Sequence, residues 1–313
     1  MRHYSISIVV PVYNSENTIE ELVNRISDEI NKCKYINEFE IILINDGSKD
    51  HSHEICLKLA ENNKLLYINF TKNFGQHHAL LCGYRYAKSD LIIKIDDDLQ
   101  VLPEEIPVMI EGLIKSNADV AFAKFIDKKQ TLFRLLGGCM NNIMARFLLN
   151  KPKGITISSF YLMKDYVVDN IIAYKNPYPY IAGLIFGVTD NVVNILINHA
   201  DRKEGKSNYT FRKLLSLWFN GFVNFSVKPL RIVTSLGILV ALGGAIYSFY
   251  LIIQRLMGNV NQAGWVSTIA AIFFIGGLQL VSIGFVGEYI GRIFISLNNL
   301  PQYVIKEIRD ERQ

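Results

Sequence analysis

The chain has 313 residues, of which 50% are hydrophobic and 20% are charged, and its formal net charge is +4. This small charge excess excludes a strongly basic nucleic-acid-binding surface. The four cysteines are scattered without zinc-type spacing, which fits a reducing compartment better than a disulfide framework. The mean hydropathy is positive, at +0.18, because apolar residues are concentrated near the C-terminus.

The first part of the chain alternates two kinds of hydrophobic pattern. Short apolar runs predict strands at 6–10, 39–44, 65–70, 91–95 and 120–125. Apolar residues at helical spacing predict helices over 19–30, around 55–59, over 76–87 and over 104–115. Strands separated by helical patterns predict βαβ units and a mainly parallel sheet.

The pattern changes after residue 208. We expect an α/β domain over 1–208, an amphipathic interfacial helix over 209–230, a two-helix transmembrane hairpin over 231–292 and a C-terminal helix over 293–313. The uncharged stretches 232–254 and 266–287 each exceed the ~20 residues that cross a bilayer as a helix. Flanking lysines and arginines place the α/β domain and both termini in the cytoplasm by the positive-inside rule, on the inner (plasma) membrane.

Glycines in the second stretch predict close helix packing. Gly287 and Gly291 are four residues apart, which puts them on one helix face. That face could pack within the hairpin or between protomers, so a homo-oligomer such as a dimer or tetramer stays open.

Polar turns follow three of the predicted strands, at 11–17, 45–50 and 96–100. Taken singly, each is typical of a turn with a helix cap. Together they fall at the carboxyl ends of strands, where open α/β sheets bind ligands. Three consecutive carboxylates in the third turn repel one another unless a cation neutralises them. The set therefore predicts a metal–nucleotide site.

These turns carry a resemblance to a known family. The sequences Pro-Val-Tyr-Asn at 11–14, Asn-Asp-Gly-Ser at 45–48 and Asp-Asp-Asp-Leu-Gln at 96–100 resemble the nucleotide-sugar site of the family 2 glycosyltransferases of the GT-A fold. With segments 73–76, 204–209 and 225–231 and two candidate spans, the chain is similar to the polyprenyl-phosphate glycosyltransferases. The resemblance implies a Rossmann-like catalytic domain, and inverting transfer of one sugar from UDP-glucose or UDP-GlcNAc to undecaprenyl phosphate. The product would serve cell-envelope glycan modification.

The resemblance also implies roles for individual residues. Carboxylate and amide oxygens suit a hard cation that stabilises the leaving diphosphate, and arginine suits phosphate recognition. The nucleotide-sugar-binding residues would be Pro11, Tyr13, Glu16, Asp46, Asp96 and Asp97. The ligands of Mg²⁺ or Mn²⁺ would be Asp98 and Gln100. The acceptor-phosphate-binding residues would be Arg134, Arg146, Arg202, Lys206 and Ser207. The catalytic residues would be Asp96, Asp98 and Arg202.

Some features leave alternatives open. Segment 154–160 has no carboxylate where many relatives carry an aspartate before the phenylalanine. A phosphate monoester is largely dianionic at neutral pH, so the reaction does not need that base. Each basic residue could instead be a membrane-surface side chain. A processive polysaccharide synthase and a non-catalytic membrane scaffold are the rival functions. The chain lacks the Gln-x-x-Arg-Trp sequence of the first, and its intact acidic turn opposes the second.

Overall fold

The computed structural model describes residues 3–62, 65–125, 151–198, 228–257, 264–298 and 301–312. The chain divides into two compact units. The first comprises Met1–Tyr209 together with Pro301–Gln313, and the second comprises Thr210–Leu300.

The first unit is built on one eight-stranded sheet. Its strands are β1 Tyr4–Val12, β2 Ile36–Asn45, β3 Leu66–Phe70, β4 Leu91–Lys94, β5 Val120–Phe125, β6 Tyr161–Lys164, β7 Val192–Ile197 and β8 Ile305–Asp310. Its helices are α1 Ile19–Asn31, α2 Ser52–Asn62, α3 Gln76–Tyr86, α4 Ile106–Ser116, α5 Asp165–Ile172 and α6 Ile181–Val188, with a 3₁₀ turn at Pro103–Glu105 before α4. The five predicted strands and four predicted helices are confirmed.

The strand order is β7-β5-β6-β4-β1-β2-β3-β8. Strands β1, β2, β3 and β4 pair in parallel, as do β5 and β7. Strands β6 and β8 are antiparallel to their neighbours. The predicted α/β class with a mainly parallel sheet is confirmed. From β1 the chain runs outward through β2 and β3 and then crosses to β4 on the other side of β1. This reversal creates a topological switch point at the carboxyl ends of β1 and β4.

Helices cover both faces of the sheet. One core cluster joins one sheet face to α1, α2 and α4, and the other joins the opposite face to α3, α5 and α6. Helix α1 shows how the sequence dictates this layering. Its residues Ile19, Leu22, Val23, Ile26 and Ile30 recur at helical spacing, and all of them are buried.

The C-terminal segment corrects one prediction. The predicted helix over 293–313 is wrong beyond Leu297, because the segment from Ile305 to Asp310 is strand β8, antiparallel to β3. Its charged residues favour a helix locally. The backbone of β3, however, would otherwise present an unpaired edge, and β8 satisfies it. The last residues of the chain therefore belong to the sheet of the first unit.

Tyr303 anchors this returning segment. Its ring stacks on Phe70 with centroids 5.1 Å apart, and its hydroxyl accepts a hydrogen bond from Arg85 at 2.7 Å. We expect Tyr303→Ala to lower the free energy of unfolding of the first unit by about 2–3 kcal/mol, since an aromatic contact is lost. Thermal unfolding in detergent, followed by circular dichroism, measures the change. Tyr303→Phe keeps the stacking and should cost about 1 kcal/mol or less; equal losses in the two variants would contradict the stacking argument.

The second unit is described through two helices, α7 Lys228–Leu256 and α8 Trp265–Leu297. Within α8, the 24 residues Phe274–Leu297 form one helical stretch long and apolar enough to cross a membrane. Within α7, the apolar stretch Val233–Gly244 is shorter. Residues 209–227 of the predicted interfacial helix lie outside the described residues.

Candidate active site

The turn after β4 carries the acidic sequence at the switch point. Leu99 has a positive φ of 55° and is 4% exposed, so it turns the chain back while anchoring it in the core. Asp98 then accepts hydrogen bonds from Gln100, at 3.1 Å from the backbone nitrogen and 2.5 Å from Nε2. The two predicted metal ligands thus lie in direct contact.

Asp97 ties this turn to the end of β1. Its Oδ2 accepts hydrogen bonds from the backbone nitrogen of Tyr13, at 2.9 Å, and from the hydroxyl of Ser15. The hydroxyl of Thr18 donates to the backbone oxygen of Asp97 at 2.5 Å. Burial raises the pKa of Asp97 to about 6, although these hydrogen bonds oppose the shift. Asp97, predicted to bind the nucleotide sugar, therefore joins the turn after β4 to the turn after β1.

Asp46 at the end of β2 holds the segment that precedes α3. Its two carboxylate oxygens accept hydrogen bonds from the backbone nitrogens of Phe74, at 2.7 Å, and Gly75, at 2.9 Å. Asp46 is 3% exposed, and this burial raises its pKa against the effect of the two hydrogen bonds. Asp46 therefore fixes the start of α3 beside the acidic turn, while its predicted contact with the nucleoside stays a prediction.

The turn after β1 supplies an exposed side chain to the site. Tyr13 is 45% exposed and is available to stack on a base. Glu16 accepts a hydrogen bond from the backbone nitrogen of His51 at 3.0 Å, which links this turn to the start of α2. Pro11 is buried within β1. The structure thus brings all the predicted nucleotide-binding residues to the carboxyl ends of β1, β2 and β4.

Asp96 has two partners that the sequence analysis missed. Its Oδ1 accepts hydrogen bonds from Gln76 Nε2, at 2.7 Å, and from the ammonium of Lys94. Lys94 is the last residue of β4 and is 1% exposed. The signal was present in the sequence, because Lys94 interrupts an otherwise continuous apolar strand directly before the acidic turn.

His77 is a second group beneath the site. Its Nδ1 is buried and has no hydrogen-bond partner among the described residues. Its ring contacts Tyr180 edge-on, with centroids 5.3 Å apart. Burial lowers the pKa of His77 to about 4, and the positive charge of Lys94 adds to the effect. His77 is therefore neutral at physiological pH.

The low pKa of His77 predicts acid sensitivity. The unfolded chain binds this proton at its usual pKa of about 6.5, so stability falls as the pH drops from about 6.5 to about 4, by on the order of 3 kcal/mol in total. His77→Gln should make the free energy of unfolding less dependent on pH over this range. Melting midpoints of wild type and variant between about pH 7 and about pH 4.5 test it. An equal fall of the melting midpoint with pH in the two proteins would contradict the role of His77 in acid sensitivity.

The predicted acceptor-phosphate residues cannot be placed. Arg134, Arg146, Arg202, Lys206 and Ser207 all lie outside the described residues. The chain that leads to the last three is anchored at the end of β7. There, Asn198 Nδ2 donates to the carboxylate of the buried Glu105 at 2.9 Å. Because Glu105 follows the acidic turn closely, this contact ties the residue after β7 to the start of α4.

The donor atoms of the acidic turn fit a hard divalent cation. Asp98 and Gln100 meet through a carboxylate and an amide whose nitrogen and oxygen are interchangeable by rotation. Carboxylate and amide oxygens are the ligands that a hard divalent cation prefers, so these two side chains would hold Mg²⁺ or Mn²⁺. Both residues are partly exposed, so a ligand can reach them. The chemistry of the donor set therefore suits Mg²⁺ or Mn²⁺.

Comparison with known proteins agrees with this fold and site. Residues 7–171 match the profile of glycosyl transferase family 2, and the chain belongs to that family; it is a glycosyltransferase. Residues 228–293 match the GtrB C-terminal hairpin, which accounts for α7 and α8.

Two relatives match the chain over almost its full length. The undecaprenyl-phosphate 4-deoxy-4-formamido-L-arabinose transferase of Proteus mirabilis is 32% identical over 97% of this chain and 93% of its own. The bactoprenol glucosyl transferase of Shigella flexneri, derived from prophage SfII, is 34% identical over 96% of this chain and 97% of its own.

A solved structure shares the fold of the first unit. Glucosyl-3-phosphoglycerate synthase from Mycobacterium tuberculosis, in complex with Mn²⁺, UDP and phosphoglyceric acid, superposes with a TM-score of 0.52 at 16% identity. The match covers 70% of this chain and 76% of that one.

Proposed function

We propose that the protein transfers one sugar from a nucleotide sugar to a polyprenyl phosphate, with inversion at the anomeric carbon. The observation that carries the proposal is the convergence of three polar turns at the switch point, with Asp96, Asp97 and Asp98 in one of them. The names of the full-length relatives, which act on undecaprenyl phosphate or bactoprenol, support the acceptor class.

Different residues at the site bind different parts of the donor. Tyr13 faces the base, and Asp96 accepts a hydrogen bond from the ribose. Asp98 and Gln100 would hold Mg²⁺ or Mn²⁺, and the bound cation would supply positive charge for the leaving diphosphate. Asp97 and Asp46 also fix the turns that carry these groups, while their own contacts with the nucleotide stay predictions.

The acceptor needs positioning more than activation. A phosphate monoester is already largely dianionic at neutral pH, so a base is unnecessary and alignment with the anomeric carbon supplies most of the rate. Arg134, Arg146, Arg202, Lys206 and Ser207 are the proposed phosphate-binding residues.

We further propose that α7 and α8 both span the plasma membrane, with the first unit and both chain termini in the cytoplasm. This topology would anchor the catalytic unit to the membrane that carries the lipid acceptor.

A donor screen tests the proposal. Purified protein in detergent is incubated with undecaprenyl phosphate, Mn²⁺ and, in turn, UDP-glucose, UDP-GlcNAc, UDP-galactose and GDP-mannose, and the lipid fraction is read by mass spectrometry. A gain of one hexose or N-acetylhexosamine supports the proposal and names the donor. A ladder of repeated additions supports a processive synthase instead. Nucleotide binding with neither transfer nor nucleotide release supports a non-catalytic scaffold.

A further inference from the structure

Lys94 occupies a position where the fold expects an apolar side chain. Along β4 the side chains alternate, so that Ile93 joins the core against α1 and α4, while Ile92 joins the core against α3. Lys94 lies on the same side as Ile92 and is 1% exposed. An ammonium group buried in this way destabilises a core unless it is well paired, and an apolar residue would serve packing better. A functional reason for this lysine is therefore needed.

Several polar side chains are buried near Lys94. The hydroxyls of Tyr84 and Tyr161, both buried, are hydrogen-bonded at 2.8 Å. Tyr161 pairs with Lys94 across the β4–β6 ladder. The neutral His77 lies close enough for the charge of Lys94 to depress its pKa. Asp96 is the one carboxylate with which Lys94 forms an ion pair within the described chain.

The contacts of Asp96 are one-sided. The ammonium of Lys94 approaches from the strand and Gln76 Nε2 from the start of α3, and both donate to Oδ1. Within the part of the chain that the structure describes, no hydrogen bond reaches Oδ2. One oxygen is thus held by the protein, and the other is left for a ligand.

We propose that Lys94 is a positioning residue: its buried ammonium fixes Asp96 Oδ1 and places a positive charge next to the acidic turn, so that Asp96 Oδ2 faces the donor nucleotide. This inference rests on the proposed function of the site. It assigns Lys94 two effects of opposite sign. The fixed charge favours the anionic nucleotide and weakens the binding of a divalent cation nearby.

Lys94→Met separates these effects from a merely structural role. Removing the positive charge should tighten Mn²⁺ binding about fivefold to tenfold and weaken metal-free UDP binding by a similar factor. Electron paramagnetic resonance of free Mn²⁺ measures the first, and calorimetry with UDP in the presence of a chelator measures the second. A structural defect would weaken both, and that result, or unchanged Mn²⁺ affinity in the folded variant, would overturn the proposal.

Lys164 provides the matched control. It forms an ion pair with Asp119, at 2.9 Å, at the other end of the same strands, where the lysine side chain is partly exposed. Lys164→Met should change neither affinity. If Lys94→Met fails to fold, Lys94→Gln and Lys94→Arg decide the matter, because only the glutamine variant loses the charge and only it should bind Mn²⁺ more tightly. Wild-type protein that binds neither Mn²⁺ nor UDP would defeat the proposed function itself, a result distinct from equal affinities in wild type and variant.

Discussion

Asp98→Asn is expected to lower kcat/KM for sugar transfer at least about a thousandfold, because the charge that holds the cation at the leaving diphosphate is lost. Asparagine has nearly the same shape and can still contact Gln100, so the turn should keep its conformation. The measurement is transfer of labelled sugar to the extractable lipid fraction, with the donor found by the screen and Mn²⁺ or Mg²⁺ in excess.

Two controls make this result specific to the cation. Asp169→Asn removes an exposed carboxylate on α5, away from the acidic turn, and should leave the rate unchanged. The melting midpoint of Asp98→Asn should match that of wild type, since among the described residues Asp98 forms hydrogen bonds only with its neighbour Gln100. A chelator should reduce wild-type activity to the level of the variant. Full activity in the variant would remove the metal-binding role of Asp98.

Gly47→Ala is expected to have the largest effect on the architecture of the site. Gly47 has a positive φ of 67°, and a Cβ there would lie 2.5 Å from the carbonyl carbon of Lys72 and 2.6 Å from the nitrogen of Asn73. Both are backbone atoms, so relief requires separation of the turn after β2 from the segment that Asp46 holds. We expect a loss of about 2–4 kcal/mol in stability and a loss of UDP binding, measured by thermal unfolding and calorimetry.

Gly154→Ala separates backbone strain from close approach. Gly154 also has a positive φ, 84°, but no atom of the described residues, its chain neighbours aside, lies within 4 Å of its hypothetical Cβ. The substitution should cost about 1 kcal/mol, the penalty of the conformation alone, and leave UDP affinity unchanged. Equal losses at the two glycines would show that the contact between Gly47 and the 72–73 backbone is unimportant.

The sequence predicted the half of the fold that is built from local signals. Strands β1 to β5 and helices α1 to α4 have strong periodicity, and the parallel pairing follows from their alternation. The predicted nucleotide-binding residues converge because parallel strands bring their carboxyl ends to one edge. What the turns do with their side chains was not predictable. Asp46 and Asp97 accept hydrogen bonds from backbone groups far along the chain, and the local sequence does not indicate such partners.

The remaining elements depend on tertiary pairing. Strands β6 and β7 are short, and each is defined by a neighbour distant in sequence. Strand β8 has the charge pattern of a surface helix and becomes a strand only because β3 offers an open edge. Lys94 illustrates the same limit at a single position: its exception to the apolar pattern is visible, but Asp96 as its partner requires the folded turn.

The position of β8 after the hairpin in the sequence has a consequence for biosynthesis. The ribosome makes β1 to β7 first, then α7 and α8, and only then the strand that completes the sheet. Until the segment through Arg312 has been synthesised, the edge of β3 is open, and Arg312 cannot yet form its 2.5 Å ion pair with Glu40 of β2. The nascent catalytic unit therefore stays incomplete while the hairpin is being synthesised. A truncated product that lacks the last thirteen residues, 301–313, would carry every residue of the acidic turn and still have an exposed sheet edge.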